Sequence, residues 1–395
     1  MRIGLLGIYG TYNFGCEAIV RGAYKLIKKL YPESEVIYFS YSYEYDSKIL
    51  SDLPIKIYDV HLSRNFFKRV VNKFFHFINY NDRIQMINFK GIMEQVDMIF
   101  SIGGDIYTIP AILRENKKYR YYNNLIDFCN QAIENDKPVI LYGASVGPFG
   151  EYEKAVQYYK KNLEKYKKIV CREYATIEYL NTLGLNNTMF LPDPAFQLRT
   201  TKHGDITEPR FIGINLSPLS LNEIYGNYNE SILALAGLLD EIYEYFHIDL
   251  LFIPHVLSKD DGDNDLKFLQ KVMERMKDSN QKHVQIAESN GGFLGVKKQL
   301  KKCHFVVAAR MHCAINAINE DIPAILLSYS QKSMGMCQYV YESEKWLVDI
   351  KEIEKNLLNK MSLMMEEKDC IKVYLQNRNL EIQKYFEESF MDILE

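Results

Sequence analysis

Arg310 and His312 stand one residue apart in Ala308-Ala309-Arg310-Met311-His312-Cys313-Ala314-Ile315. An apolar run ends just before them and a helical pattern begins just after. A guanidinium there can grip a phosphate or carboxylate with two parallel hydrogen bonds. An imidazole beside it can donate a proton near neutral pH. A structural arginine more often lies on a solvated helix face, so its position at a strand end favours an anion site. Arg172, in Val170-Cys171-Arg172-Glu173, also follows an apolar run. Two readings of it stand: a second cation gripping a doubly charged ligand, or an ion pair with Glu173 or Glu178. His255, after Leu251-Phe252-Ile253-Pro254, ends another run, and Lys332 follows the last one and could add a cation.

Three small-residue turns accompany these cations. Gly7-Ile8-Tyr9-Gly10-Thr11-Tyr12-Asn13-Phe14-Gly15 follows the first apolar run and leads into a helix near Cys16 or Glu17. Its glycines let backbone come close to a ligand, and a helix N-terminus favours an anion; a turn with no ligand is an equal reading. The spacing is neither GxGxxG nor the P-loop, so nucleotide binding is not signalled. Ser101-Ile102-Gly103-Gly104-Asp105 and Gly143-Ala144-Ser145-Val146-Gly147-Pro148 end two further runs. Gly103, Gly104 and Ser145 clear space there, while Asp105 either orients or deprotonates a hydroxyl or caps the next helix. Asp193, between Pro192 and Pro194, reads as a turn residue or a weaker site candidate. No Cys or His set has metal-ligand spacing.

These residues need elements to hold them at strand ends. Apolar runs at Ile3–Ile8, Val36–Ser40, Ile55–Val60, Met98–Ile102, Val139–Tyr142 and Ile169–Cys171 read as buried strands. Helical patterns lie at Glu17–Leu30, Tyr119–Asn135, Tyr152–Tyr166 and Ala175–Leu183. The polar stretch Gln197–Arg210 then reads as a linker. The alternation restarts with strands Phe211–Leu216, Leu250–Ile253, Phe305–Ala308 and Ala324–Leu327 and helices at Ser231–Phe246, Asp265–Lys277, Phe293–Lys302 and His312–Asn319. Strands alternating with helices predict parallel sheets wound on both faces. We therefore expect an α/β fold of two facing doubly wound Rossmann-like domains, 1–200 and 210–368, closed by a C-terminal helix over 369–395. The active site is expected in the cleft between them.

Composition narrows the function. With 395 residues, 47% hydrophobic and 25% charged, the chain can bury two cores. A net charge of −3 leaves no electrostatic footprint for nucleic acid. Seven scattered Cys without a CxxC pair fit a reducing cytoplasm rather than a disulfide framework. Between residues 64 and 78, Phe67, Val70, Val71, Phe74, Phe75 and Ile78 share one helical face, with Lys68, Arg69, Asn72 and Lys73 towards the other. Such a helix either rests on an anionic membrane or packs its phenylalanines into the core; the core reading is preferred.

Taken in order, these segments resemble the polysaccharide pyruvyl transferase family. The resemblance rests on Asn13-Phe14-Gly15-Cys16-Glu17-Ala18, the Gly103-Gly104 and Gly143–Pro148 loops, and Arg172 ahead of a helix. It continues through Leu191-Pro192-Asp193-Pro194-Ala195-Phe196, the Arg310–Ile315 segment and Tyr329-Ser330-Gln331-Lys332. It implies a GT-B-like fold and formation of a pyruvate ketal on a sugar diol, with phosphoenolpyruvate as co-substrate and neither metal nor other cofactor. The implied anion-binding positions are Arg172, Arg310 and His312, with His312 as candidate acid and Asp105 or Glu17 as candidate base. Family members often carry Asp where this chain has Cys16, which bears on acceptor choice. The acceptor would be a sugar or lipid-linked saccharide met in the cytoplasm, at the inner face of the membrane if residues 64–78 bind it. Arg310→Ala is expected to abolish turnover and leave the fold intact. The rivals are a GT-B nucleotide-sugar glycosyltransferase and a non-catalytic sugar-binding relative.

Overall fold

A computed structural model describes the whole chain except residues 61–65, 78–88, 201–207, 226–227, 329–330 and 395, together with a few side chains beside them. Its residues fall into two compact units. The first comprises Met1–Gly10, Ile19–Pro194 and Phe386–Glu395, and the second Thr11–Ala18 and Ala195–Tyr385.

The first unit is built on β1 (Arg2–Leu6), β2 (Glu35–Ser40), β3 (Lys56–Asp59), β4 (Met98–Ile102), β5 (Val139–Ala144), β6 (Lys168–Cys171) and β7 (Thr188–Phe190). They form one sheet in the order β3-β2-β1-β4-β5-β6-β7, and every pairing is parallel. Strands β4 and β5 are buried at every position, as an all-parallel sheet covered on both faces requires. The second unit holds β8 (Phe211–Asn215), β9 (Asp249–Phe252), β10 (Val284–Ile286), β11 (Cys303–Ala308), β12 (Ala324–Ser328) and β13 (Leu347–Asp349). Their order is β10-β9-β8-β11-β12-β13, again parallel throughout.

In each sheet the strand order reverses beside the first strand, between β1 and β4 and between β8 and β11. Ligands of doubly wound sheets bind outside the carboxyl ends at this switch point. Gly7 follows β1 and Gly103 follows β4; Asn215 ends β8 and Arg310 follows β11. The candidate residues therefore stand where the topology leaves room.

The expected strands are all present. Three more, β7, β10 and β13, were not anticipated: each has three residues and each lies at a sheet edge. The expected helices appear with ends shifted by a few residues, except that the tail helix already begins at Ile353 and runs to Ser389. Of the expected linker, residues 201–207 lie outside the described residues, whereas Pro194–Leu198 forms a 3-10 turn with Ala195, Phe196 and Leu198 buried.

The preferred reading of residues 64–78 is corrected. The helix Phe66–Phe77 leaves Phe66, Phe67, Val70, Phe74 and Phe77 exposed, while Lys68, Val71, Asn72 and Phe75 are half-buried. Residues 64, 65 and 78 lie outside the described residues.

One glycine shows how tightly the first unit is packed. Gly22 sits inside the helix Phe14–Leu30, where glycine costs about 1 kcal/mol relative to alanine. A Cβ there would collide with the Pro194 carbonyl, so close approach outweighs propensity. Gly22→Ala should therefore destabilise the protein, by about 1–3 kcal/mol through overpacking. Urea unfolding reads this; a stabilised variant would show that helix propensity dominates instead.

Candidate functional site

In the second unit the candidates gather around a residue that sequence reasoning took only for a helix start. Asp265 opens the helix Asp265–Met273 and is fully buried. Its Oδ2 accepts hydrogen bonds from the backbone N–H groups of His255 and Val256 at 3.0 and 3.1 Å, and from Asn215 Nδ2 at 3.4 Å. Its Oδ1 accepts from Arg310 Nη2 at 2.8 Å and Nε at 3.2 Å. Burial raises the Asp265 pKa, opposed by the Arg310 charge and these hydrogen bonds. Asp263 takes a further hydrogen bond from Arg310 Nη2 at 2.6 Å. Asn215 Oδ1 accepts the Arg310 backbone N–H at 2.8 Å.

Arg310 is thus locked. Burial works against its charge, and Asp265 and Asp263 more than offset this, holding the guanidinium firmly protonated. The carboxylates occupy Nε and Nη2; among the described residues nothing accepts a hydrogen bond from Nη1. Arg310 is also the N-cap of the helix Met311–Ile318, and its side chain caps none of the helix N–H groups. An anion at this end would meet a fixed guanidinium edge and the positive pole of the helix.

His312 lies in the first turn of that helix, half-buried, and Gly15 packs against its ring. A Cβ on Gly15 would stand 2.5 Å from His312 Nδ1, which is why this turn carries glycine. Asn13 Oδ1 accepts from the Gly15 N–H at 3.0 Å and more weakly from the Cys16 N–H at 3.4 Å, starting the helix Phe14–Leu30. The Phe14 N–H donates to the His255 carbonyl at 3.0 Å, and Asn13 bridges to Val256. The Asn13–Gly15 turn is therefore seated on the loop that follows β9.

Glu17 has a different task from the one expected. It is fully buried, and its Oε2 accepts the Phe293 N–H at 2.6 Å, at the start of the helix Gly292–Leu300. Gly292 has φ +61° and no space for a Cβ beside that carboxylate. As a cap for this helix, Glu17 is a poor base. Lys332 lies in the first turn of the helix Gln331–Tyr341, and its side chain is outside the described residues.

In the first unit Arg172 is buried among carboxylates. Nη1 bonds Asp193 at 2.7 Å, and Nη2 and Nε reach Ser145 Oγ at 3.1 and 3.3 Å. Asp105 lies 3.6 Å from Nη2 and Glu173 3.6 Å from Nε. Ser145 Oγ in turn donates to Glu173 at 2.7 Å. Burial disfavours the Arg172 charge, and Asp193, Glu173 and Asp105 restore it. Of the two readings, the ion pair is the one seen, although Asp193 is the nearest partner and Glu178 is not among them. Among the described residues one cation faces three carboxylates here, an arrangement suited to hydroxyl groups. Asp105 is the exposed member, at 57%. The Ser145 N–H donates to the Gly104 carbonyl at 2.8 Å, joining the two small-residue loops. A Cβ on Gly104 would meet Arg172 Nη2 at 3.5 Å, an ordinary contact, whereas Gly103 has φ +154° and would press on Ile106.

Asp263, Asp265, Asn215 and Glu173 were not singled out as site residues from sequence. Asn215 carried a usable signal, a polar residue ending an all-buried strand at the switch point. Glu173 was visible only as a neighbour able to pair with Arg172, and Asp263 and Asp265 carried no signal, since Arg310 lies 47 and 45 residues away. The dependence of Asp265 on Arg310 bears on the Arg310→Ala variant. Arg310→Ala would strand a buried carboxylate and cost about 3–5 kcal/mol, so a loss of stability is expected beside the loss of turnover.

His255 is buried between the rings of Phe14 and Phe293, at centroid distances of 5.5 and 5.8 Å. Its Nε2 is buried and has no hydrogen-bond partner among the described residues. Burial first, then the nearby charges of His312 and Arg310, hold it well below the usual 6.5, so the folded protein keeps this ring neutral. The unfolded chain binds a proton there below about pH 6.5, and the folded chain does not. Stability is therefore present above that pH and lost as pH falls through it. Relative to His255→Gln, wild type should lose about 1.4 kcal/mol per pH unit below this point. Urea midpoints of both proteins across pH 5 to 8 measure it; a constant difference between them would mean that His255 protonates in the fold.

Comparison with known proteins gives the family and the fold. A sequence model of the polysaccharide pyruvyl transferase family matches residues 13–331, a span that includes the Asn13–Gly15 turn, Arg172, Arg310 and His312. The amylovoran biosynthesis protein AmsJ of Erwinia amylovora is 22% identical over 264 residues, 63% of this chain, and the match spans 60% of the length of that relative. Among solved structures, a UDP-N-acetylglucosamine 2-epimerase from Listeria monocytogenes, itself described as putative, superposes with a TM-score of 0.59 at 12% identity, covering 99% of this chain and 96% of its own. HepE from Anabaena, solved with UDP and glucose, gives 0.57 at 10% identity over 97% of this chain and 94% of its own. The lipopolysaccharide outer core galactosyltransferase WaaB gives 0.50 at 12% identity over 97% and 98%. These structures share the GT-B-like fold with this chain, and the match along residues 13–331 makes the chain a member of the polysaccharide pyruvyl transferase family.

Proposed function

We propose that the protein forms a pyruvate ketal on a sugar diol of a surface or exopolysaccharide precursor, taking the pyruvyl group from phosphoenolpyruvate. The observation that carries this reading is the Nη1 edge of Arg310, fixed by Asp263 and Asp265 at the start of the helix Met311–Ile318 with His312 in its first turn. Family membership and the part that AmsJ is named for in amylovoran biosynthesis support the substrate class. The seven free cysteines suit work in a reducing compartment.

The donor carries a phosphate and a carboxylate, and one of these is assigned to Arg310 and the helix end. As the first sugar hydroxyl adds to C2, the methylene carbon takes a proton. The C–O bond to phosphate then breaks, its electron pair leaving with phosphate, and the second hydroxyl closes the ketal. One hydroxyl proton is thus balanced by the new methyl group and the other by the departing phosphate. Arg310 stabilises the charge that grows on phosphate, and His312 is the candidate acid. The negative cluster around Arg172 is reassigned from the donor to the acceptor, with Asp105 as candidate base. Arg172 then acts by positioning Asp105, Glu173 and Ser145.

Calorimetry with phosphoenolpyruvate tests the donor site, with UDP-sugars in parallel. Arg310→Lys is the variant of choice, because it keeps a cation beside Asp265 but loses the planar fork. Wild type should bind phosphoenolpyruvate, and the variant should bind at least about tenfold more weakly while remaining folded. Binding of UDP-sugars without phosphoenolpyruvate would replace this reading with a glycosyltransferase. Binding of neither would replace it with a non-catalytic sugar-binding protein.

A further inference from the structure

The helix Phe66–Phe77 turns its most apolar face outward. Phe66, Val70, Phe74 and Phe77 recur at the spacing of one helical face. Phe66, Phe74 and Phe77 are 75%, 55% and 87% exposed, and Phe67, at the margin of that face, is 79% exposed. Arg69 and Lys73, both exposed, border the other margin. The side turned inward is half-buried and mixed, with Lys68 and Asn72 beside Val71 and Phe75. A core-packing helix buries its apolar residues, whereas here Phe66, Phe67, Val70, Phe74 and Phe77 all stay outside. Single exposed phenylalanines need no explanation, but a contiguous apolar stripe of this kind marks an interaction surface.

Charge identifies the partner. The sequence has no Asp or Glu between Asp59 and Asp82, and within the helix it has Lys68, Arg69 and Lys73. The rest of the chain is net acidic, since the total is −3. A basic helix with an outward aromatic stripe matches a surface that is negatively charged at its face and apolar just beneath, which is an anionic lipid bilayer. Among the described residues no helix is long and apolar enough to cross a membrane, so contact would be with one leaflet.

We propose that the helix Phe66–Phe77 docks the protein on anionic lipid bilayers, with Phe66, Phe74 and Phe77 entering the acyl boundary and Arg69 and Lys73 meeting the headgroups. This goes beyond the pyruvyl transfer reading and does not depend on it, because lipid binding is read without turnover.

Flotation with phosphatidylcholine vesicles, with and without about one third phosphatidylglycerol, provides the test. Wild type should float with the anionic vesicles, remain below with phosphatidylcholine alone, and release as salt screens the headgroups. The pair Arg69→Glu and Lys73→Glu should bind anionic vesicles at least about tenfold more weakly. Phe66→Ser, Phe74→Ser and Phe77→Ser together should do the same, with an unchanged melting temperature because exposed side chains are removed. Equal flotation with neutral and anionic vesicles would overturn the proposal, as would triple-variant binding equal to wild type. So would a wild-type dimer that ignores lipid and is lost in the triple variant, since a second copy would then cover the stripe.

Discussion

The second unit depends on one carboxyl group held out of contact with water. Asp265 is fully buried, and isolating a charge there would be prohibitive. It is tolerated because two backbone N–H groups, one amide and one guanidinium converge on it. Those donors come from the end of β8, the loop after β9 and the segment after β11. A single carboxylate thereby ties together three neighbouring strand ends, two of them flanking the switch point. Arg310 cannot swing with solvent as a surface arginine does, and its remaining edge is presented in one direction. Preorganisation of this kind removes the ordering cost that a flexible side chain incurs when it binds a ligand.

The two buried arginines show that residue type does not fix electrostatic role. Among the described residues nothing accepts a hydrogen bond from Arg310 Nη1, whereas Arg172 is hydrogen-bonded or ion-paired at every nitrogen. The first arrangement can still attract an anion. The second is a scaffold whose outward character comes from its carboxylates, above all Asp105. Sequence context, a cation just past an apolar strand, is the same for both.

That contrast marks what could be read from sequence. Central strands were legible because a parallel sheet covered on both faces demands continuous apolar runs, such as Met98–Ile102 and Phe211–Asn215. The edge strands Thr188–Phe190, Val284–Ile286 and Leu347–Asp349 were not, since three residues give no period to detect. Arg310, His312 and Gly15 were singled out for their place at strand or helix ends, and the structure packs Gly15 directly on His312. Asp263 and Asp265 were missed because only the fold brings them to Arg310. For residues 66–77 periodicity revealed two faces, but only packing could decide which one turns outward.

The chain's first turn belongs to its second unit: Thr11–Ala18 is grouped with residues 195–385. Those few residues contribute the Glu17 cap on the helix Gly292–Leu300, the Gly15 surface beneath His312 and the Asn13 bridge to Val256. Severing the polypeptide in the segment around residue 200 would therefore not release a self-sufficient C-terminal fragment. Such a piece would lack its own helix cap and the floor of its histidine. Dissection of the molecule calls instead for supplying the 11–18 peptide in trans or grafting it onto the fragment by circular permutation.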